Sequence, residues 1–242
     1  MSGHSKWSNI KHKKEKTDAQ KAKVFTKIGK EITIAVKESG GDPSTNSKLR
    51  DLIQKAKANN VPNDNIDRTI KKALGSADVA YEEITYEGYG PSGVAVIVET
   101  TTDNRNRTAG NIRAYFSKYH GNLGQSGCVS FMFSDKGLIV INNEDGDYDE
   151  DKVMEDALEA GAADFISDGD LFEIYTEPED LDAVKSALEG KYTFDSAEVT
   201  KVPSSYVTLE NEDDIKNMEN LIESLEDDDD VQDVYHNWET ND

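Results

Sequence analysis

The spacing of apolar residues changes at Gly75, so the two parts of the chain cannot fold in the same way. Before Gly75, apolar residues such as Phe25, Ile28 and Ile32 recur every three or four positions, which is the period of an amphipathic helix. After Gly75, short apolar runs such as VAVIVE at 94–99 alternate with helical segments, a pattern typical of α+β folds. The sequence therefore predicts a helical N-terminal part joined to α+β structure.

Three short helices are predicted in the N-terminal part. The first begins at Asp18 and ends before Gly40-Gly41-Asp42-Pro43, the second covers 49–56, and the third lies between Pro62 and Gly75. We expect a helical domain over 21–75, preceded by a flexible basic arm over 1–20.

The remainder predicts two ferredoxin-like α+β domains. Strand and helix patterns over 135–203 follow the order βαββαβ, with a hairpin that turns at Asp168-Gly169-Asp170. Before it, 80–134 supplies βαββ, including a strand pair over 122–133, and after it 204–242 supplies the missing helix (211–225) and strand (231–236). We therefore predict an α+β multidomain protein in which 135–203 is inserted into a domain made of 80–134 plus 204–242. Tandem domains with a C-terminal extension are the alternative.

Charge divides the chain at the same place. Residues 1–75 carry 17 Lys/Arg against 8 Asp/Glu, and residues 76–242 carry 10 against 41. A basic segment on an acidic body indicates that the N-terminal part meets a polyanion, which we expect to be nucleic acid.

The candidate nucleic-acid-binding residues form three groups. On the face of the first helix opposite its apolar face lies a stripe of four lysines, and three more cations point away from the apolar face of the third helix; these seven are Lys23, Lys27, Lys30, Lys37, Arg68, Lys71 and Lys72. Ile34 falls near the stripe, where we expect it to be exposed or to touch a partner. The arm contributes Lys6, Trp7, Lys11, Lys13 and Lys14, in which Trp7 either stacks on an unpaired base or docks on the body. The helix over 105–119 contributes Arg105, Arg107 and Arg113, which either bind phosphate or pair with neighbouring carboxylates.

No constellation of catalytic residues is present. The four histidines are isolated, the glycines at 88, 90 and 93 lack the context of a phosphate-binding loop, and Cys128 is the single cysteine. We therefore predict a protein that is not an enzyme, with no metal site and no cofactor. No signal-peptide pattern and no run of about 20 apolar residues is seen, so we expect a soluble cytoplasmic protein without a membrane partner.

Long strings of residues resemble one family. They include SGHSKWSNIKHKK at 2–14, GGDPSTNSKLR at 40–50, AKANNVPNDNIDRTIKKALG at 56–75, TDNRNRTAGNIR at 102–113 and GNLGQSGCVSFMF at 121–133. In these strings the chain resembles the YebC/PmpR family of probable transcriptional regulators, which also includes mitochondrial translational activators. The resemblance implies three domains, one helical and two α+β, and it carries over no catalytic residue.

Three functions are compatible with these patterns. The first is a DNA-binding transcriptional regulator that acts through the basic helical domain. The second is a ribosome-associated translation factor that binds ribosomal or transfer RNA, for example at proline-rich stalls. The third is an adaptor whose acidic domains bind protein partners while the N-terminal lysines dock on the acidic body. No feature of the sequence predicts whether the protein is a monomer or an oligomer.

Overall fold

A computed structural model describes residues 18–75 and 80–239 of this chain. The helices are, in chain order, α1 (Asp18–Ser39), α2 (Ser47–Ala58), α3 (Asn63–Gly75), α4 (Arg105–Lys118), α5 (Glu150–Glu159), α6 (Leu181–Leu188) and α7 (Glu212–Glu226). The strands are β1 (Glu82–Tyr89), β2 (Ala95–Thr102), β3 (Asn122–Leu123), β4 (Phe133–Asn142), β5 (Asp164–Asp168), β6 (Leu171–Thr176), β7 (Ser196–Pro203), β8 (Val207–Thr208), β9 (Val231–His236) and β10 (Trp238–Glu239). The predicted fold class, α+β with an N-terminal helical region and two antiparallel sheets, is confirmed.

The three N-terminal helices pack around a small apolar core. Buried side chains such as Ile32 on α1, Leu49 on α2 and Ile66 on α3 meet there, as their helical spacing predicts. Asn46 joins α1 to α2: its side chain caps α2 by accepting from Leu49 N at 3.0 Å. The same side chain donates to the backbone oxygens of Ala35 and Gly40, each at 2.8 Å. These bonds fix the angle at which α2 leaves α1.

The opposite side of α1 is also covered. The helix contacts strand β2, and Ile34 is only 8% exposed. We expected Ile34 to be exposed or to touch a partner; instead it is buried within the folded chain, because α1 packs on both sides.

The first sheet has the order β3-β1-β2-β9, with every pair antiparallel. These positions and directions are those of a ferredoxin-like sheet, but the chain enters them in a different order. We predicted βαββ before the central segment, whereas the structure has a β1–β2 hairpin followed by α4 and β3. The predicted strand pair over 122–133 was wrong: β3 has two residues, and Ser130–Met132 forms a 3-10 turn.

The second sheet has the order β5-β6-β4-β7, again antiparallel. Its chain order, β4-α5-β5-β6-α6-β7, is the predicted ferredoxin-like unit. The β5–β6 hairpin turns at Gly169, which has φ +57°. One face of the sheet, with Ile139, Phe172 and Ile174, packs against α5 and α6.

The described chain divides into two compact units. The smaller unit contains Ser130–Thr208 and 237–239, and the larger unit contains the other described residues, including the N-terminal helices and Leu209–His236. The chain thus leaves the larger unit after Val129 and returns to it at Leu209, where we predicted boundaries at 135 and 203. Strand β10 pairs in parallel with β8 in the smaller unit. Within residues 18–75 and 80–239, no helix is long and apolar enough to cross a membrane.

Candidate nucleic-acid interface

Three lysines of α1 contact the acidic end of α7 in the larger unit. Lys23 Nζ lies 2.9 Å from Asp227 Oδ1, and Lys27 Nζ donates to the backbone oxygen of Glu226 at 2.7 Å. Lys30 Nζ donates to Asp229 O at 2.8 Å and lies 2.6 Å from Asp230 Oδ1. The last carbonyls of a helix lack intrahelical partners and carry partial negative charge, so ammonium groups are favoured there. Lys27 therefore contacts the last carbonyl of α7, while Lys23 and Lys30 pair with Asp227 and Asp230, which follow the helix.

Asp230 is the centre of this contact. Its side chain is 5% exposed, and besides Lys30 it accepts hydrogen bonds from Arg107 Nη2 at 2.6 Å and Thr108 Oγ1 at 2.8 Å. Burial disfavours its ionised form, but the hydrogen bonds from Lys30, Arg107 and Thr108 outweigh burial and lower the pKa of Asp230 to about 2. Asp230 is therefore an ionised, buried carboxylate that joins α1 to α4.

Four of the predicted nucleic-acid-binding residues thus contact other parts of the same chain: Lys23, Lys30 and Arg107 pair with aspartates, and Lys27 donates to the backbone oxygen of Glu226. A phosphate at any of these side chains would have to replace an intramolecular contact. Their role in nucleic-acid binding stays a prediction.

Arg105 and Arg113 lie on α4 and are exposed. Burial raises the pKa of Tyr86, and the charges of these two arginines partly oppose that shift. The phenol oxygen of Tyr86 is buried without a hydrogen-bond partner among the described residues. All three arginines of α4 are thus exposed, and Arg107 in addition pairs with Asp103 and Asp230.

Three further predicted cations, Lys37, Arg68 and Lys72, line a groove between α1 and α3. Two adjoining cavities, of about 300 and 250 Å³, share the walls formed by Phe25, Thr26, Gly29 and Thr69; we call this space the α1–α3 groove. Its cationic lining consists of Lys30, Lys37, Arg68 and Lys72. Among the described lining residues none is acidic. The groove is thus a concave, positively charged surface in an acidic protein.

The structure brings only some of the predicted residues together. Arg68 and Lys72 line the groove, whereas Lys71 is exposed on α3 without lining it. The predicted arm residues Lys6, Trp7, Lys11, Lys13 and Lys14 lie outside the described residues.

Sequence reasoning missed several of the groove's walls. Phe25 was predicted on the apolar face of the first helix, and in the structure it is half-buried and lines the groove. Tyr81 was missed altogether; it lines the second cavity, with Lys30 Nζ 5.9 Å from its ring centroid. One signal was available in Gly29, a glycine in the middle of a helix, where it weakens helix formation without making a turn.

Comparisons with known proteins match one family along nearly the whole chain. A family model described as the TACO1/YebC protein N-terminal domain matches residues 5–76, and one described as the TACO1/YebC second and third domain matches 81–238. A protein of Acetivibrio thermocellus named "Probable transcriptional regulatory protein" is 60% identical over 98% of this chain and 99% of its own. One of the same name from Agathobacter rectalis is 58% identical, over 99% and 100%.

A solved structure matches as well. The crystal structure of a conserved hypothetical protein from Aquifex aeolicus is 43% identical, with a TM-score of 0.85 over 98% of both chains. The resemblance seen in the sequence is therefore confirmed, and the chain belongs to the TACO1/YebC family.

Proposed function

We propose that this protein is a nucleic-acid-binding transcriptional regulator that holds the phosphate backbone along the α1–α3 groove. The observation that carries the proposal is the groove's lining, which includes Lys37, Arg68 and Lys72 and, among the described residues, no acidic side chain. The name of the relatives, "Probable transcriptional regulatory protein", supports a role in transcription.

The charge of the chain restricts where a polyanion can bind. The chain has a formal net charge of −22, so most of its surface repels phosphate. Binding at a basic concave face then confines contact to one side of the larger unit. Phosphate contacts supply affinity without sequence information, and we expect weak base specificity.

The test compares two double charge reversals by fluorescence anisotropy. Arg68→Glu/Lys72→Glu changes the groove, and Lys57→Glu/Lys216→Glu changes two exposed lysines that do not line it, with the same change in net charge. Each phosphate contact contributes about 0.9 to the salt slope, which corresponds to roughly tenfold in affinity at about 0.1 M salt. We expect the groove variant to bind nucleic acid about 100-fold more weakly than the parent, and its salt slope to be smaller by about two. The control variant should keep most of the parent's affinity.

Equal losses in the two variants would refute the groove as the binding surface. Crosslinking in cells, followed by sequencing of bound DNA and RNA, distinguishes the possible targets. We expect promoter DNA; enrichment of ribosomal or transfer RNA without promoter DNA would instead support the translation factor. Partner capture that survives nuclease treatment, with no nucleic acid bound, would support the adaptor.

A further inference from the structure

Gly29 lines the α1–α3 groove without a side chain, and its carbonyl oxygen accepts a hydrogen bond from Thr33 Oγ1 at 2.8 Å. It lies in the interior of α1 and lines both cavities. Glycine is among the poorest helix formers, so its presence there disfavours the helix. Nothing in the fold requires it: a Cβ built at Gly29 meets no described atom within 4 Å. What glycine provides is room for another molecule to approach the backbone closely.

The walls beside Gly29 suit a flat ring. Phe25 lies one helical turn before Gly29, and Tyr81 lines the same cavity; both rings are half-buried. The hydroxyl groups of Thr26, Thr33 and Thr69 donate to helix carbonyls one turn earlier, so their oxygens provide acceptors at the groove. Aromatic side chains at a basic groove form platforms on which unpaired bases stack. Every base can stack there, because each has a π-face.

The cations continue past this platform in both directions. Arg68 lines the first cavity, whereas Lys37 and Lys72 line the second. A strand that passes over Gly29 would therefore meet positive charge on either side of the base held there. The backbone of a duplex can contact these cations, but a duplex cannot seat a base beside Tyr81, because its bases are stacked inside and the cavity there is only about 250 Å³.

We propose that the α1–α3 groove binds single-stranded nucleic acid, with one unpaired base seated over Gly29 beside Phe25 and Tyr81. This inference rests on the proposed function and adds the class of nucleic acid. DNA and RNA strands share the chemistry that the groove recognises, and the experiment below distinguishes them.

The test is the substitution Gly29→Ala in the full chain. Because a Cβ has room in the unliganded protein, the variant should melt at the same or a higher temperature than the parent. The methyl group would occupy the space of the bound base. Gly110→Ala is the matched control, since Gly110 lies within α4, also with open space around a built Cβ, and does not line the groove.

The probes are fluorescein-labelled five-nucleotide strands of thymidine and of uridine, and a hairpin duplex of mixed sequence. We expect the parent and Gly110→Ala to bind the single strands at least tenfold more tightly than the duplex. Gly29→Ala should bind the single strands at least tenfold more weakly than the parent does. The tighter of the thymidine and uridine strands identifies the source of the ligand.

Two outcomes separate this inference from the proposed function. If the parent binds the duplex as tightly as the strands, or if Gly29→Ala binds like the parent, the groove does not seat an unpaired base, although the protein still binds nucleic acid. If the parent binds none of the probes at low salt, the proposed function fails together with the inference.

Discussion

Replacing Asp230 by Asn removes the charge on which the contact between α1 and α4 is centred. The asparagine keeps the shape of the side chain but leaves Lys30 and Arg107 without their shared carboxylate. The hydrogen bonds of the folded state lower the pKa of Asp230 from 3.8 to about 2. At about 1.4 kcal/mol per pKa unit, this shift corresponds to about 2.5 kcal/mol of folding free energy.

The pH dependence has a definite sign. A carboxylate whose pKa is lower in the folded state contributes stability above the unfolded pKa, and that stability is lost as pH falls through the folded pKa. We therefore expect the variant to be about 2.5 kcal/mol less stable than the parent at pH 7. The difference should shrink between pH 4 and about 2, the range bounded by the two pKa values.

Urea denaturation followed by circular dichroism at several pH values measures this difference. Asp229→Asn is the control, because it removes the same charge from an exposed side chain of the adjacent residue. A gap that does not change with pH, or an NMR titration that gives Asp230 its ordinary pKa near 3.8, would refute the reasoning.

Two further substitutions test how the fold is held. Asn46→Ala removes the N-cap of α2 and the two bonds to the carbonyls of Ala35 and Gly40, so we expect the chemical denaturation midpoint to report a loss of about 2–3 kcal/mol. Gly137→Ala places a methyl group against Thr176 Oγ1, 2.9 Å from Leu181 Cβ, and we expect thermal unfolding to report a loss of about 1–3 kcal/mol from overpacking.

Their controls are matched by residue type. Asn106→Ala, at an exposed position of α4, should change stability by less than about 0.5 kcal/mol, and Gly110→Ala should not destabilise the chain. Parent-like stability in Asn46→Ala would show that the cap does not hold α2 against α1. A fully stable Gly137→Ala would show that β4 and α6 separate easily enough to admit a methyl group.

Local patterns were enough to predict most helices and the smaller unit's sheet. Helical spacing and helix-ending glycines depend on neighbours three or four residues away, and the hairpin at Gly169 depends on its own turn residues. The larger unit's sheet was harder, because β1 does not differ in pattern from a polar connection and β3 has two residues. Its strand order follows from pairing between β2 and β9, which lie far apart in sequence.

Local patterns also could not predict the partners of the charged side chains. The sequence placed Lys23, Lys27 and Lys30 on one face of a helix, and they do lie on one side of α1, but it left open whether that face meets a phosphate or the acidic body. In the structure the three lysines contact residues about 200 positions away, which no local pattern encodes.

The sequence by itself determined the family, the helical N-terminal region and the opposition of a basic segment to an acidic body, because these depend on composition and short-range spacing. Only the tertiary structure decided which cations are held by the chain's own carboxylates and which line a groove. The reason is physical: an ammonium group binds whichever anion the fold brings within about 3 Å, and that distance is set by packing between segments remote in sequence. Among the described residues, Lys23, Lys27 and Lys30 contact the segment at 226–230, whereas Lys37, Arg68 and Lys72 line the α1–α3 groove, to which Lys30 also contributes.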